Sequence, residues 1–134
     1  MRTRLLVAAT LLSLSAGTAL ASNVGRRFPA EKRTLTDETT GLTLTALTTD
    51  PANDAKPYQT HTTWTADGQW ILFRTSRDGS GPQAFIVNER TGDIIQLTDG
   101  PATGTGSLNL SRRANKLYYM RGLRGRSARL KTVR

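Results

Sequence analysis

The sequence contains no cysteine and a single histidine, His61. Without cysteine, the fold has no disulfide or thiol nucleophile and depends on packing alone. A lone histidine without a partner ligand does not make a metal site, so we interpret His61 as an ordinary loop or strand residue. No G-x-S-x-G elbow is present, and the glycine-rich residues 100–106 are followed by no Lys-Ser/Thr pair. We therefore predict no catalytic, cofactor-binding or metal-binding residue in this chain.

Residues 1–21 have the features of a secretory signal peptide. Arg2 and Arg4 form a basic start, and a mostly apolar stretch of small residues ends at Ala21. The stretch is short for a membrane span, although an uncleaved anchor is the alternative. We predict cleavage after Ala21 and a periplasmic or secreted protein with no stable membrane anchor.

The formal net charge of +9 comes mainly from the C-terminal end. Residues 22–111 contain eight Lys/Arg and ten Asp/Glu, whereas residues 112–134 contain nine Lys/Arg and no acid. This distribution does not indicate a nucleic-acid-binding surface over the fold. Residues 123–134 are predicted to be a basic tail, either non-native after a premature stop or frame shift, or disordered. The alternative is a genuine tail that binds acidic polymers or anionic lipid.

Short apolar stretches separated by turn residues predict an antiparallel meander at Trp70–Thr75, Gln83–Asn88 and Asp93–Thr98. Asp-Gly and Thr-Gly pairs at the joints supply the positive φ angles of tight hairpins. Upstream, leucines alternate with threonines from Leu42 to Leu47 and predict a half-buried strand. Residues 22–33 are polar without periodicity and are predicted to be a mobile leader.

A repeat of about 46 to 50 residues runs through residues 34–122. Ala46-Leu47-Thr48 recurs as Gln96-Leu97-Thr98, and Trp64 with its following strand recurs at Leu110. This is the length of one four-stranded propeller blade. We predict an all-β chain with about one complete four-stranded blade and part of a second, whose open sheet edges allow self-association. A small independent sandwich of five to seven strands is the alternative.

The central stretch resembles the blade repeat of the Tol-system propeller protein. The residues that carry the match are Trp64, Asp67, Gly68, Ile71, Phe73, Thr75, Arg77, Asp78, Gly79, Phe85, Val87, Thr91, Gly92, Gln96, Leu97, Thr98 and Gly100.

The order of motifs is similar to the N-terminal part of the oligogalacturonate lyase family, whose members are seven-bladed propellers. A short T-G strand ending in L-T lies at Thr40–Thr48, a Y-x5-[FW]-T-x-D-G motif and its strand run from Tyr58 to Phe73, and Q-L-T-D-G lies at Gln96–Gly100. The resemblance covers Arg33–Gly122.

The resemblance implies a polysaccharide lyase that cleaves oligogalacturonides by β-elimination in pectin breakdown, with manganese and a histidine base. In the family the metal ligands lie in later blades, so no catalytic residue carries over and we expect an N-terminal fragment that is inactive alone. Uronate substrates need cations, and Arg74, Arg77 and Arg112 are candidates. The alternatives are a non-catalytic Tol-type periplasmic propeller that mediates protein contacts and the propeller of a prolyl-peptidase-like hydrolase.

Two further groups of residues have both a functional and a structural interpretation. Six aromatic residues could stack on sugars, but we predict that they form core between blades: Trp64, Trp70, Phe73, Phe85, Tyr118 and Tyr119. Four aspartates could bind calcium, but we predict that they cap turns: Asp67, Asp78, Asp93 and Asp99.

Overall fold

The computed structural model describes residues 22–100, 103, 107–121 and 124–129. Within these residues nine strands form three antiparallel sheets, which confirms the predicted all-β fold. The strands are β1 (Arg27–Phe28), β2 (Arg33–Thr36), β3 (Thr43–Ala46), β4 (Trp70–Thr75), β5 (Gln83–Asn88), β6 (Ile94–Gln96), β7 (Asn109–Leu110), β8 (Lys116–Arg121) and β9 (Arg124–Arg129). The predicted signal peptide, residues 1–21, lies outside the described residues and stays a prediction.

The central sheet has the strand order β1-β6-β5-β4. Strands β4 and β5 have the predicted bounds, and their register runs from Trp70 opposite Asn88 to Thr75 opposite Gln83. Strand β6 is shorter than predicted. The β5–β6 turn ends at Gly92, whose φ of +80° is a conformation that favours glycine.

Both faces of the central sheet are covered. On one face Leu72 and Ile86 belong to a cluster with Leu117 of the C-terminal sheet, which has the order β7-β8-β9. On the other face Phe85 belongs to a second cluster, against which Leu47 packs. Successive residues of a strand point to opposite faces, so β4 and β5 contribute to both clusters. All six residues of β5 are consequently buried.

The predicted aromatic core is confirmed for four of its six members. Phe73 and Phe85 are buried, and Trp70 and Tyr119 pack against the cluster between the central and C-terminal sheets. The prediction is wrong for two residues, because Trp64 is 42% exposed and Tyr118 is 47% exposed.

Two isolated bridges lie along the side of β4 that faces away from β5. Trp64 lies opposite Ile71, and Ala55 lies opposite Arg74. Between the two bridges the chain contains Pro57, which has no N–H to donate to a ladder.

The predicted leader contains the first strand, and its mobility stays a prediction. In the range 22–33, Arg27 and Phe28 pair with β6 as a fourth strand of the central sheet. Lys32 Nζ donates hydrogen bonds to the carbonyl oxygens of Glu89, at 2.7 Å, and Arg90, at 3.0 Å. A strand of two residues shows no periodicity, so the sequence pattern did not reveal it.

Strands β2 and β3 form a separate two-stranded sheet, the N-terminal hairpin. The predicted strand near Leu42–Leu47 is therefore present, but its half-burial is wrong. Leu42 is 62% exposed and Leu44 is 47% exposed.

The predicted basic tail contains the last strand. Six residues of the range 123–134, Arg124–Arg129, form β9 and pair with β8 from Lys116 opposite Arg129 to Arg121 opposite Arg124. A ladder is built from backbone N–H and C=O groups, which a basic sequence supplies as well as an apolar one. Residues 122–123 and 130–134 lie outside the described residues.

Candidate functional site

Arg77, a candidate partner for a uronate carboxylate, is already paired inside the protein. Its guanidinium lies 2.6 Å from Glu31 Oε1 and 2.8 Å from Asp54 Oδ2, and its side chain is 1% exposed. The guanidinium carbon also lies 5.2 Å from the centre of the Phe73 ring. The charge of Arg77 is therefore compensated by two carboxylates, and its side chain is inaccessible to a ligand. Its contacts connect the leader and the loop at residue 54 to the central sheet.

The other two candidate cations have different environments. The backbone of Arg74 bridges Ala55, and its Nε atom is buried without a hydrogen-bond partner. Arg112 is exposed and donates from Nε to Thr62 Oγ1 at 3.2 Å. The structure does not bring these three arginines together around one ligand position in the part of the chain it describes.

Asp67 caps a turn, as predicted. Its Oδ1 accepts hydrogen bonds from Thr65 Oγ1 at 2.5 Å and from the Gln69 backbone N–H at 3.1 Å. The bond from Thr65, with a smaller contribution from Gln69, holds the pKa of Asp67 below its ordinary value.

Asp78 also caps a turn, since its carboxylate accepts hydrogen bonds from the N–H and Oγ of Ser80. Partial burial acts to raise the pKa of Asp78, but the bonds from Ser80 and from Gln96 Nε2 outweigh it and leave the pKa lowered. Asp99 instead accepts hydrogen bonds from Asn23 N, at 3.1 Å, and from Ser22 Oγ. Asp99 thereby anchors the leader.

A buried amide network holds the loop that follows β6. Gln96 Nε2 donates to the carbonyl of Thr98 at 2.9 Å, and Thr98 Oγ1 donates to Gln83 Oε1 at 2.7 Å. Gln83 Nε2 then donates to the carbonyl of Gly100 at 2.7 Å. The sequence does not reveal this network, because isolated glutamines within apolar strands do not indicate their partners.

His61 lies beside the C-terminal sheet. Its Nδ1 is 2.9 Å from the carbonyl oxygen of Leu108, which can only accept, so Nδ1 carries the hydrogen. Its ring also makes an edge contact with Tyr58 at 5.8 Å. The predicted role of His61 as an ordinary loop or strand residue stays a prediction.

An open cavity of about 500 Å³ lies next to His61, and we call it the His61 pocket. It is lined by His61, Ser107, Asn109, Tyr118, Tyr119, Met120, Gly125 and Arg126. Tyr118 and Met120 are 47% and 44% exposed and lie on the face of β8 that points away from the central sheet. The sequence analysis missed Arg126, which fell in the expected tail.

The His61 pocket occupies a position that is covered in the central sheet. The two sheets follow a repeat of 46 residues, so Lys116 is equivalent to Trp70 and Tyr118 is equivalent to Leu72. Leu72 is fully buried between the central and C-terminal sheets. The pocket therefore lies on the surface that is equivalent to the one that the C-terminal sheet covers on the central sheet.

A second cavity, of about 470 Å³, lies at one end of the central sheet, between the turn at Gly68 and the turn at Arg90. Asp67 and Glu89 are among the residues that line it. Arg90 lines the same cavity, so its charged lining combines two acidic side chains with one cationic side chain.

No group of three or more His, Cys, Asp or Glu side chains that could hold a metal ion occurs in the described part of the chain. These residues therefore do not fit a manganese site. Within the same residues, no helix is long and apolar enough to cross a membrane.

Two solved structures of oligogalacturonate lyases are similar to this fold. The enzyme from Vibrio parahaemolyticus matches with a TM-score of 0.67 and 24% identity, and an oligogalacturonate lyase in complex with manganese matches with a TM-score of 0.67 and 28% identity. The chain is similar to the oligogalacturonate lyases. The predicted family resemblance and the predicted β-propeller blades are thereby confirmed.

Each lyase match covers 73% of this chain and 26% of the lyase, so the chain spans about a quarter of the length of these lyases. No family model matches the sequence, and no curated protein matches it.

Proposed function

We propose that this chain forms the first blades of an exported oligogalacturonate lyase-like propeller, which cleaves oligogalacturonides by β-elimination. The observation that carries the proposal is the match to two oligogalacturonate lyases over 73% of the chain at a TM-score of 0.67. The order of sheets supports it, since face-to-face packing of successive four-stranded units is the architecture of a propeller.

In this proposal the described residues act as scaffold and the chain is inactive alone. The buried side chain of Arg77 forms ion pairs with two carboxylates, and the ring of His61 is hydrogen-bonded to a backbone carbonyl. A general base and a metal would come from other blades, and the His61 pocket would receive the next blade. Arg112 remains an accessible cation for a uronate.

A chimaera tests the proposal. Residues 22–121 of this chain replace the corresponding quarter of the lyase whose structure contains manganese, and digalacturonate cleavage is followed by the absorbance of unsaturated uronates. We expect activity from the chimaera when manganese is present and no absorbance rise from this chain alone.

A chimaera with Leu72→Asp is the matched control, because a charge in the core between two blades should abolish activity and folding together. A folded chimaera that binds manganese yet leaves digalacturonate intact would contradict the proposal. Cleavage by this chain alone would contradict its scaffold role.

A further inference from the structure

The N-terminal hairpin has one apolar face. Leu35 lies directly opposite Leu44, and Leu42 lies two residues before Leu44, so the three side chains point to the same side of the hairpin. They are 40%, 47% and 62% exposed for Leu35, Leu44 and Leu42. Because side chains at opposite positions of two strands contact each other, the three leucines form one continuous patch. We call this patch the leucine face.

The other face of the hairpin is polar. It is formed by four threonines, all of them exposed: Thr34, Thr36, Thr43 and Thr45. Among the described residues, neither hydrophobic cluster of the protein includes a side chain of the leucine face. The packing of the sheets therefore leaves this face uncovered, and a continuous exposed apolar patch is typical of a surface that binds another protein.

The base of the hairpin has an available cation at the leucine face. Arg33 begins β2, is exposed and lies two residues before Leu35, so it points to the same side. The two charged residues before it already have partners. Glu31 pairs with Arg77, and Lys32 Nζ donates to the carbonyl oxygen of Glu89. The side chain of Arg33 makes no hydrogen bond or ion pair with another described residue.

The tip of the hairpin has an available anion. The carboxylate of Asp37 accepts hydrogen bonds from the N–H groups of Thr39 and Thr40, at 3.1 and 2.7 Å, and is used by the turn. Glu38 is exposed, and its carboxylate has no partner among the described residues. Arg33 and Glu38 lie five positions apart, which corresponds to roughly 15 Å along a strand. The leucine face therefore lies between a positive and a negative end.

We propose that two copies of this chain pair through their leucine faces, with the two hairpins antiparallel about a two-fold axis. This arrangement places Arg33 of each copy beside Glu38 of the other copy. A two-fold interface is self-complementary, so the same pair of opposite charges forms twice. A parallel arrangement would place like charges together, which is unfavourable. The charges at the two ends therefore select the antiparallel dimer.

The proposed contact is small. Stable dimers bury about 1,200–2,000 Å² of surface in total, and two strands of four residues each provide less than this. Association should therefore be weak, and it should weaken further as salt screens the exposed charges. The proposal goes beyond the proposed function and depends on the hairpin alone, so an inactive chimaera would leave it intact.

Sedimentation equilibrium of the full chain over a roughly hundredfold range of protein concentration provides the test. We expect the mass to rise from one chain towards two. Leu44→Asp places a carboxylate of each copy in the interface and should weaken association about tenfold or more. Thr45→Asp is the matched control, because it adds the same carboxylate at the next position of β3 but on the polar face. It should leave association unchanged.

Charge exchange tests the antiparallel arrangement. Arg33→Glu makes both ends of the face acidic, and Glu38→Arg makes both ends basic. Each single variant should associate about tenfold more weakly than the unmodified chain. The double variant Arg33→Glu and Glu38→Arg exchanges the two ends and should regain the association of the unmodified chain. All of these positions are exposed, so urea unfolding of each variant should give a free energy within about 0.5 kcal/mol of the unmodified chain.

Three outcomes would overturn the proposal. A mass of one chain at every concentration would show that the leucine face does not pair. Equal weakening by Leu44→Asp and Thr45→Asp, or by neither, would place the contact at a sheet edge or at another surface such as the His61 pocket. A double variant as weak as the two single variants would exclude the antiparallel pairing of Arg33 with Glu38.

Discussion

The central and C-terminal sheets follow the same repeat, but they differ in the number of faces that are covered. Leu72 in β4 is fully buried, whereas Tyr118, at the equivalent position of β8, is 47% exposed. The central sheet packs against the C-terminal sheet on one face and against Leu47 on the other. The comparison shows that burial at this position depends on the presence of a neighbouring sheet more than on the residue itself.

Truncating the two equivalent residues should give the largest difference. Leu72→Ala leaves a cavity between two packed sheets and should lower the free energy of unfolding by about 2–5 kcal/mol. Tyr118→Ala removes a ring that is about half exposed, and we expect a loss of roughly 0.5 kcal/mol. Urea denaturation followed by tryptophan fluorescence measures both. Equal losses would show that the open face of the C-terminal sheet is covered in solution.

A second pair of variants compares the central sheet with the N-terminal hairpin. A Cβ at Gly92 would lie 2.7 Å from Lys32 Cβ, whereas a Cβ at Gly41 meets nothing within 4 Å. Both residues have positive φ, so each alanine costs about 1–2 kcal/mol of backbone strain. Gly92→Ala should therefore lower the free energy of unfolding more than Gly41→Ala in the same urea titration. The reverse order would mean that the leader does not pack against this turn.

Acidification should have the smallest effect on the free energy of unfolding. The pKa values of Asp67 and Asp78 are both lowered from an ordinary value of 3.8. A group with a lowered pKa in the folded state stabilises above its unfolded pKa, and this stability is lost as the pH falls through the folded value. The central sheet should therefore become less stable below about pH 3.8, as measured by urea unfolding at several pH values. In the double variant Asp67→Asn and Asp78→Asn, the free energy of unfolding should depend less on pH. An unchanged pH dependence would mean that other groups cause the loss of stability in acid.

The sequence predicted the parts of the fold that local patterns determine. Strands β4 and β5 are short apolar stretches bounded by polar turns, and both were predicted with correct bounds. The resemblance to the oligogalacturonate lyases was predicted for the same reason, since its motifs lie in these strands and turns.

The remaining features depend on contacts that are distant in sequence. Strand β1 has two residues and exists because β6 offers an edge, and β9 forms a ladder in a stretch without apolar alternation. The burial of Arg77 required the positions of Glu31 and Asp54, which are 46 and 23 residues away. The sequence alone indicated a charged residue near a strand end.

The anchors of the leader also have a consequence for synthesis. Glu31 is held by Arg77, and Ser22 by Asp99, which is 77 residues further along the chain. A contact cannot form before both partners have left the ribosome. The leader emerges before the central sheet, and its final position is fixed after the last strand of that sheet has been made.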